Sequence, residues 1–366
     1  MVRLTRAQQQ ARTRATVLAA ARQEFVEYGY ALAKVDRIAE RAELTRGAVY
    51  SNFPSKRALY LAVLVEMVEN VDTVAPAASP GTAADALDAF ARTWLERLPL
   101  AGDTATGGRL QLRSLAGVVD DDAGRTALAQ IACLEALLLA LGLESCAPED
   151  TAPRRVRLAG LVQTLLAGSG FLAETAPGFG DPFDLTRACR HLAALDLADT
   201  WAPAHLPYVE PAEPCRQAWV PPTGLANQIT GDSVDLGADG LVTVLGARRL
   251  AASEEAVRSA RPGEQVTVVA VTDDPAETGN LVRLRVGDLT ASLRRVFPPE
   301  AWRHVRLVID DDAAVASAAG LTGVGDETEA AVRVQGGVIV ARARGRGAAY
   351  AAADTEIGTK SRKATT

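Results

Sequence analysis

The sequence predicts a multidomain chain, with an all-α part to about residue 200 followed by an α/β part over about 225–354. Three observations carry this. The stretch Val35–Lys56 reads as a helix, a tight turn and a second short helix. Between Trp201 and Gly224 stand Pro203, Pro207, Pro211, Pro214, Pro221 and Pro222, which cannot continue a helix. Beyond them the apolar residues stop recurring at helical spacing and gather into short runs.

In the first stretch Val35, Ile38, Ala39 and Ala42 fall on one helical face, and Glu43 and Leu44 interrupt it. Thr45 is a good N-cap for the next helix, because its hydroxyl can accept a free backbone N–H. That helix turns Ala48 and Val49 inward and ends near Phe53-Pro54. Two helices joined so tightly form a helix-turn-helix, whose second helix can enter a major groove. Thr45, Arg46, Tyr50, Ser51 and Asn52 are its polar side chains, and Gly47 lets backbone approach DNA closely.

This stretch resembles the DNA-binding signature of TetR-type repressors, through Ile38-Ala39, Gly47, Tyr50, Phe53 and Lys56 over roughly residues 12–64. Two departures stand out. Glu43 takes the place of a turn glycine, at a cost of about 1 kcal/mol if its backbone is left-handed. Lys34 replaces the usual Thr ahead of the first helix. The resemblance implies DNA contacts from Lys34, Thr45, Arg46, Gly47, Tyr50, Asn52 and Lys56, with Arg46 as the base reader and Tyr50 and Lys56 on phosphates. It also implies a homodimer on a palindromic double-stranded operator and a small-molecule effector.

Charge agrees with one DNA-facing end. The chain carries a net −6, yet residues 1–60 hold eleven Lys/Arg and five Asp/Glu, leaving an acidic remainder. Arg3, Arg6, Arg12 and Arg14 suit either a solvated tail or an arm on phosphates or in a minor groove. No uninterrupted apolar run of about 18 residues and no secretory leader are read, so a cytoplasmic protein without membrane partners is expected. Cys133, Cys146, Cys189 and Cys215 lack paired spacing, as suits a reducing compartment. No metal or cofactor is expected; a site from Cys189, His191, His205 and Cys215 matches no compact zinc pattern.

Helices are predicted over about 13–28, closed by Gly29, and then over 56–74, 82–98, 106–119, 122–142, 153–174 and 184–198. The head is thus 1–60 and the helical body 61–200. By resemblance the body encloses a ligand and its last two helices pack on their twins, with Gly168, Ser169 and Gly170 allowing close approach. Trp94, Leu112, Leu134, Leu138 and Phe171 are the candidate ligand-lining residues, with Leu98, Leu115 and Leu165 beside them, though all are equally good core residues. Arg109, Gln111 and Arg113 could orient a polar ligand or form a solvated face.

Residues 201–224 are read as an extended linker and 225–354 as a domain able to fold alone. Strands are predicted at 241–245, 265–271, 305–309, 330–335 and 338–342, the last two joined at Gly336-Gly337. Helices are predicted at 253–259, 288–296, 312–319 and 348–353, capped by Ser253 and Asp312 where they begin, and the tail 355–366 is expected to be disordered. The order resembles a thioredoxin-like domain, but no cysteine follows Cys215 and no proline stands at 326–329, so the redox chemistry is lost. Its expected binding edge lies near Arg248, Asp273 and Asp310. A rival reading has Asp273-Asp274 and Asp310-Asp311-Asp312 holding Mg²⁺ for phosphoryl chemistry; helix capping accounts for them more simply. Two function classes result: a non-enzymatic, ligand-responsive regulator, or an enzyme or carrier in the α/β domain with a DNA-binding module attached.

Overall fold

Thr5 opens the first helix, accepting from the Gln8 N–H while the Gln8 side chain accepts from the Thr5 N–H. In this computed structural model, which describes residues 5–69, 79–99, 103–148, 153–201 and 203–354, helix α1 therefore spans Arg6–Leu32 and starts seven residues ahead of expectation. Gly29, at φ 66°, breaks its helical geometry where a cap was expected. Arg3, residues 70–74 and the tail 355–366 lie outside the described residues.

Packing divides the chain into two units, and not at the proline-rich stretch alone. One unit gathers Met1–Thr200 with Gln228–Gly231 and Thr272–Trp302; the other gathers Trp201–Asn227, Asp232–Val271 and Arg303–Thr366.

The first unit is helical. After α1 come α2 (Val35–Arg41), α3 (Arg46–Asn52), α4 (Lys56–Glu69), α5 (Ala83–Leu95), α6 (Ala105–Gln111), α7 (Asp122–Glu144), α8 (Val156–Thr175) and α9 (Pro182–Leu192). Val17, Phe25, Ile38, Val49, Phe53 and Leu59 close the core of the head. Helix α6 ends at Gln111 rather than near 119, and Arg113 follows it at φ 54°. Helices α7 and α8 are both long and apolar enough to cross a membrane by length and composition, although polar residues interrupt each of them. They differ in burial: 61% of the α7 span is buried against 28% of the α8 span, so α7 is a core helix and α8 a surface one.

The later helix α11 (Asn280–Leu293) also belongs to this unit. It begins eight residues before the expected start, because a π-helical turn over Pro275–Gly279, capped by Asp274, leads straight into it. Leu281, Leu284, Val286, Leu289 and Leu293 leave it almost no solvent face, so it needs helices around it; it packs on α4, α5 and α7. Beyond it the Trp302 indole N–H donates to the Leu138 carbonyl at 2.9 Å, and Gly142 leaves room on α7 for the Phe297 ring. A fragment of 224–354 would strip α11 of this packing, so the expected independent domain is not the unit the fold makes.

The second unit is a six-stranded mixed sheet with helices. Strands β1 (Glu213–Ala218), β2 (Gly240–Gly246), β3 (Gln265–Val271), β4 (Val305–Ile309), β5 (Glu329–Gln335) and β6 (Val338–Arg344) lie in the order β1-β6-β5-β2-β3-β4. The β2–β3 and β3–β4 pairs are parallel and the others antiparallel. Val242, Val244, Val269, Val332 and Val334 pack on one face with Val315 and Ala316 of α12 (Ala314–Ala318). Helices α10 (Ala252–Ser259) and α13 (Ala348–Asp354) pack together and against β2 and β5. Strand β1 lies inside the expected linker. It is an edge strand with a register shift between Pro214 and Gln217, a place that tolerates proline. Two expected caps are replaced: Ser253 donates to the Leu250 carbonyl, and Asp310, not Asp312, caps α12.

Candidate nucleic-acid interface and effector cavity

The turn before α3 is left-handed at Glu43, φ 54°, as its sequence position suggested. Thr45 Oγ1 accepts from the Ala48 N–H at 3.2 Å and fixes the start of α3. Only Val49 of α3 is fully buried, which leaves the opposite face to solvent. Arg46 is 61% exposed, 3.4 Å from Asp36 and 5.5 Å above the Tyr50 ring. An exposed pair of this kind is worth about 0–1 kcal/mol, so DNA can displace it cheaply. Lys34 and Gly47 are exposed, and a Cβ at Gly47 would meet only Thr45 Oγ1, at 3.9 Å. Packing does not demand a glycine there; close approach from outside explains it better.

Two of the expected DNA contacts, Asn52 and Lys56, are half-buried and hydrogen-bonded within the head. Asn52 Nδ2 donates to the Ala48 carbonyl at 2.9 Å. Lys56 Nζ donates to the Ala31 carbonyl at 3.1 Å and sits 4.8 Å from the Tyr30 ring, and burial lowers its pKa. The Asn52 bond lies within α3, and the Lys56 bond joins the start of α4 to the end of α1. Arg14 of α1 donates to the Asn52 carbonyl at 3.2 Å, with its guanidinium 4.3 Å above Phe53, and so ties the end of α3 to α1.

Sequence reading missed Glu24. Its carboxylate is fully buried on α1. One oxygen accepts from Arg37 Nε at 2.6 Å and from the Lys34 N–H at 3.0 Å, and the other lies 3.4 Å from Arg41. Burial works to raise its pKa, but the hydrogen bonds and the two guanidinium charges outweigh burial and hold it below the usual carboxylate range. This group fixes α2, and hence α3, against α1. Its spacing of seven from Val17 and three from Ala21 on the buried face was the available signal.

The helical unit also carries a half-open cavity of about 270 Å³. Of the candidate lining residues, Trp94, Leu112 and Phe171 stand in its wall, with Leu115. Leu134 and Leu138 do not: both are 1% exposed and belong to the core. Arg113 lines the cavity, while Gln111 donates to the Leu98 carbonyl. Helix α11 adds Leu284, Arg285, Asp288 and Leu289 to the wall. Asp288 pairs closely with Arg97 and at 2.8 Å with Arg113, and Glu135 pairs with Arg285 at 2.7 Å. Burial lowers the Arg97 pKa against the pull of Asp288, and burial raises that of Glu135 against the pull of Arg285.

The sheet unit offers less. Arg249 pairs with Glu329, which also accepts from the Gly347 N–H at 2.7 Å, and Arg248 lies 3.2 Å from Glu327. The Gly325–Thr328 turn crosses the end of β2, where a Cβ on Gly246 would collide with the Asp326 backbone. Asp310 accepts from the N–H groups of Ala314, Val315 and Ala316 at 2.9–3.0 Å, so its expected binding role is taken up by capping. Among the described residues no group of three or more His, Cys, Asp and Glu side chains is placed to hold a metal ion. His205 instead pairs with Glu255 at 2.8 Å, and burial pushes the Cys189 thiol up to about 11.

Residues 17–63, which contain α2 and α3, match the family described as bacterial regulatory proteins, tetR family. Over 58 residues the chain is 45% identical to the HTH-type transcriptional activator FasR of Mycolicibacterium smegmatis. That match covers 16% of this chain and 26% of FasR, so the chain spans about a quarter of that relative's length. A TetR transcriptional regulator from Rhodococcus sp. RHA1 is 20% identical, with 53% of this chain and 99% of that one covered, at a TM-score of 0.31. For a TetR-family regulator from Mesorhizobium loti the values are 17%, 52%, 96% and 0.28. Scores of this size do not establish a common fold. The tetR-family assignment therefore rests on the head.

Proposed function

We propose that this protein is a sequence-specific DNA-binding transcriptional regulator, cytoplasmic and non-enzymatic, which acts as a homodimer and responds to a small molecule. The observation that carries it is the outward face of α3, where Thr45, Arg46, Gly47 and Tyr50 stand exposed on a tetR-family domain. Lys34 joins them at the start of α2, with Asn52 at the end of α3 and Lys56 at the start of α4. One short helix offers few base contacts, so two chains on an inverted repeat are required. The exposed Leu161, Phe171 and Leu172 on α8, with Phe179 and Phe183 beside them, support a self-association face. The cavity is the proposed effector site.

For the sheet unit we propose a redox-inert binding module of thioredoxin-like type. The parallel β2-β3-β4 set beside an antiparallel β5-β6 hairpin supports the type. The lack of any cysteine after Cys215 supports the inertness. The head's relative in M. smegmatis is named an activator, whereas the sequence suggested a repressor. Transcription from a selected site reads the sign directly.

The test is selection of duplexes from a random pool by the full chain, with stoichiometry by analytical ultracentrifugation. An inverted repeat bound by two or more copies is expected. Enrichment of no sequence, or of a single half-site bound by one chain, would overturn the proposal.

A further inference from the structure

The cavity beside α11 is lined by charges and donors that bear on its occupant. Three guanidinium groups, Arg97, Arg113 and Arg285, line it together with three carboxylates, Asp288, Glu135 and Glu174. Asp288 pairs with Arg97 and Arg113, Glu135 with Arg285, and Glu174 lies 3.6 Å from Arg109, which is outside the lining. Two donors there are also unmatched: Arg113 Nε and Gln163 Nε2 are buried and have no hydrogen-bond partner in the structure. A buried donor without an acceptor is costly, and a guanidinium fork suits a carboxylate. Arg113 is held at φ 54°, a backbone conformation that a non-glycine residue adopts only under constraint. Phe90, Trp94 and the outer residue Phe171, 64% exposed, also line the cavity, and Gly170 leaves room for Trp94, since a Cβ there would come within 3.1 Å of the indole.

We infer that this cavity takes a small anionic ligand, a carboxylate on a flat apolar body, with the carboxylate received by Arg113 and Gln163 and the body laid against Trp94 and Phe90. The inference rests on the effector reading above and names the ligand's class. It also gives α11 a role: this helix, far along the chain from the head, supplies Asp288, which orients Arg113 at the ligand's anionic end.

Isothermal titration of the full chain, without DNA, with naphthalene-1-acetate and with the neutral naphthalene-1-acetamide tests this. The acid should bind at least roughly ten-fold tighter than the amide. Gln163→Leu and, separately, Arg113→Met should each remove most of that preference while leaving amide binding in place. Gln163→Leu removes an unmatched donor, so it keeps the fold even where Arg113→Met loosens it; thermal melts establish which variants are folded. Equal binding of acid and amide, no saturable binding of either, or an undiminished preference in folded Gln163→Leu would overturn the inference. Selected-duplex affinity with and without the acid is measured apart. Acid preference without a change in DNA affinity upholds the ligand class and removes the ligand response. A DNA response without acid preference does the reverse.

Discussion

Replacing Asp288 by alanine should lower the melting temperature of the helical unit by about 10 °C. The carboxylate is 8% exposed and neutralises Arg97 and Arg113 together. Removing one partner of a buried pair leaves uncompensated charge and typically costs about 3–5 kcal/mol. For a unit of this size each kcal/mol moves the midpoint by about 2–4 °C. The control is Asp288→Leu with both Arg97→Met and Arg113→Met, which removes the carboxylate and its two guanidinium partners and should recover much of the loss, because an apolar cluster avoids the desolvation penalty. A shift below about 2 °C for Asp288→Ala would mean that α11 is not anchored to the helical unit through this group.

Glu24→Ala should destabilise the DNA-binding head by about 3 kcal/mol, because Arg37 and Arg41 lose a fully buried counter-charge and the Lys34 N–H loses its acceptor. Hydrogen exchange over residues 17–63 reads this locally, and protection there should fall well before that of the sheet unit. The pH dependence has a definite sign. The folded carboxylate titrates below its unfolded range, so its contribution is present at neutral pH and lost as pH falls through the folded value. The stability gap between wild type and Glu24→Gln should therefore be widest at neutral pH and close under acid conditions. A gap that widens on acidification would contradict the assigned pairing.

How far the sequence carries the fold depends on how local the causes are. The α2-turn-α3 unit was legible because each of its parts has a local sign: apolar spacing, a left-handed turn, an N-cap threonine. Helix α3 begins at Arg46 behind the Thr45 cap, as expected. Glu43 is left-handed despite its Cβ. Glu24 and Asp288 were missed since a single acid inside a helix usually faces water; their partners, Arg37 of α2 and Arg97 in the turn after α5, come from elsewhere in the chain. Strand β1 was hidden by prolines that only an edge position tolerates. The placement of α11 was beyond local reading altogether. Nothing in a short apolar pattern tells a helix between two strands to pack against helices coded more than a hundred residues earlier. In the cavity, aromatic and aliphatic lining residues were recognisable by type, but Leu134 and Leu138 show that type does not separate wall from core.

The central claim is that α3 reads DNA through Arg46. It is tested most directly by the affinity of the full chain for its selected duplex and for a random duplex, measured by fluorescence anisotropy for wild type and for Arg46→Ala. Arg46 is exposed and its partner Asp36 equally so, so the substitution leaves the fold in place. A bidentate guanine contact is worth about 1–3 kcal/mol of discrimination, so the ratio of the two affinities should fall by roughly ten-fold for each half-site while random-duplex binding drops only slightly. An unchanged ratio in folded Arg46→Ala would contradict the account.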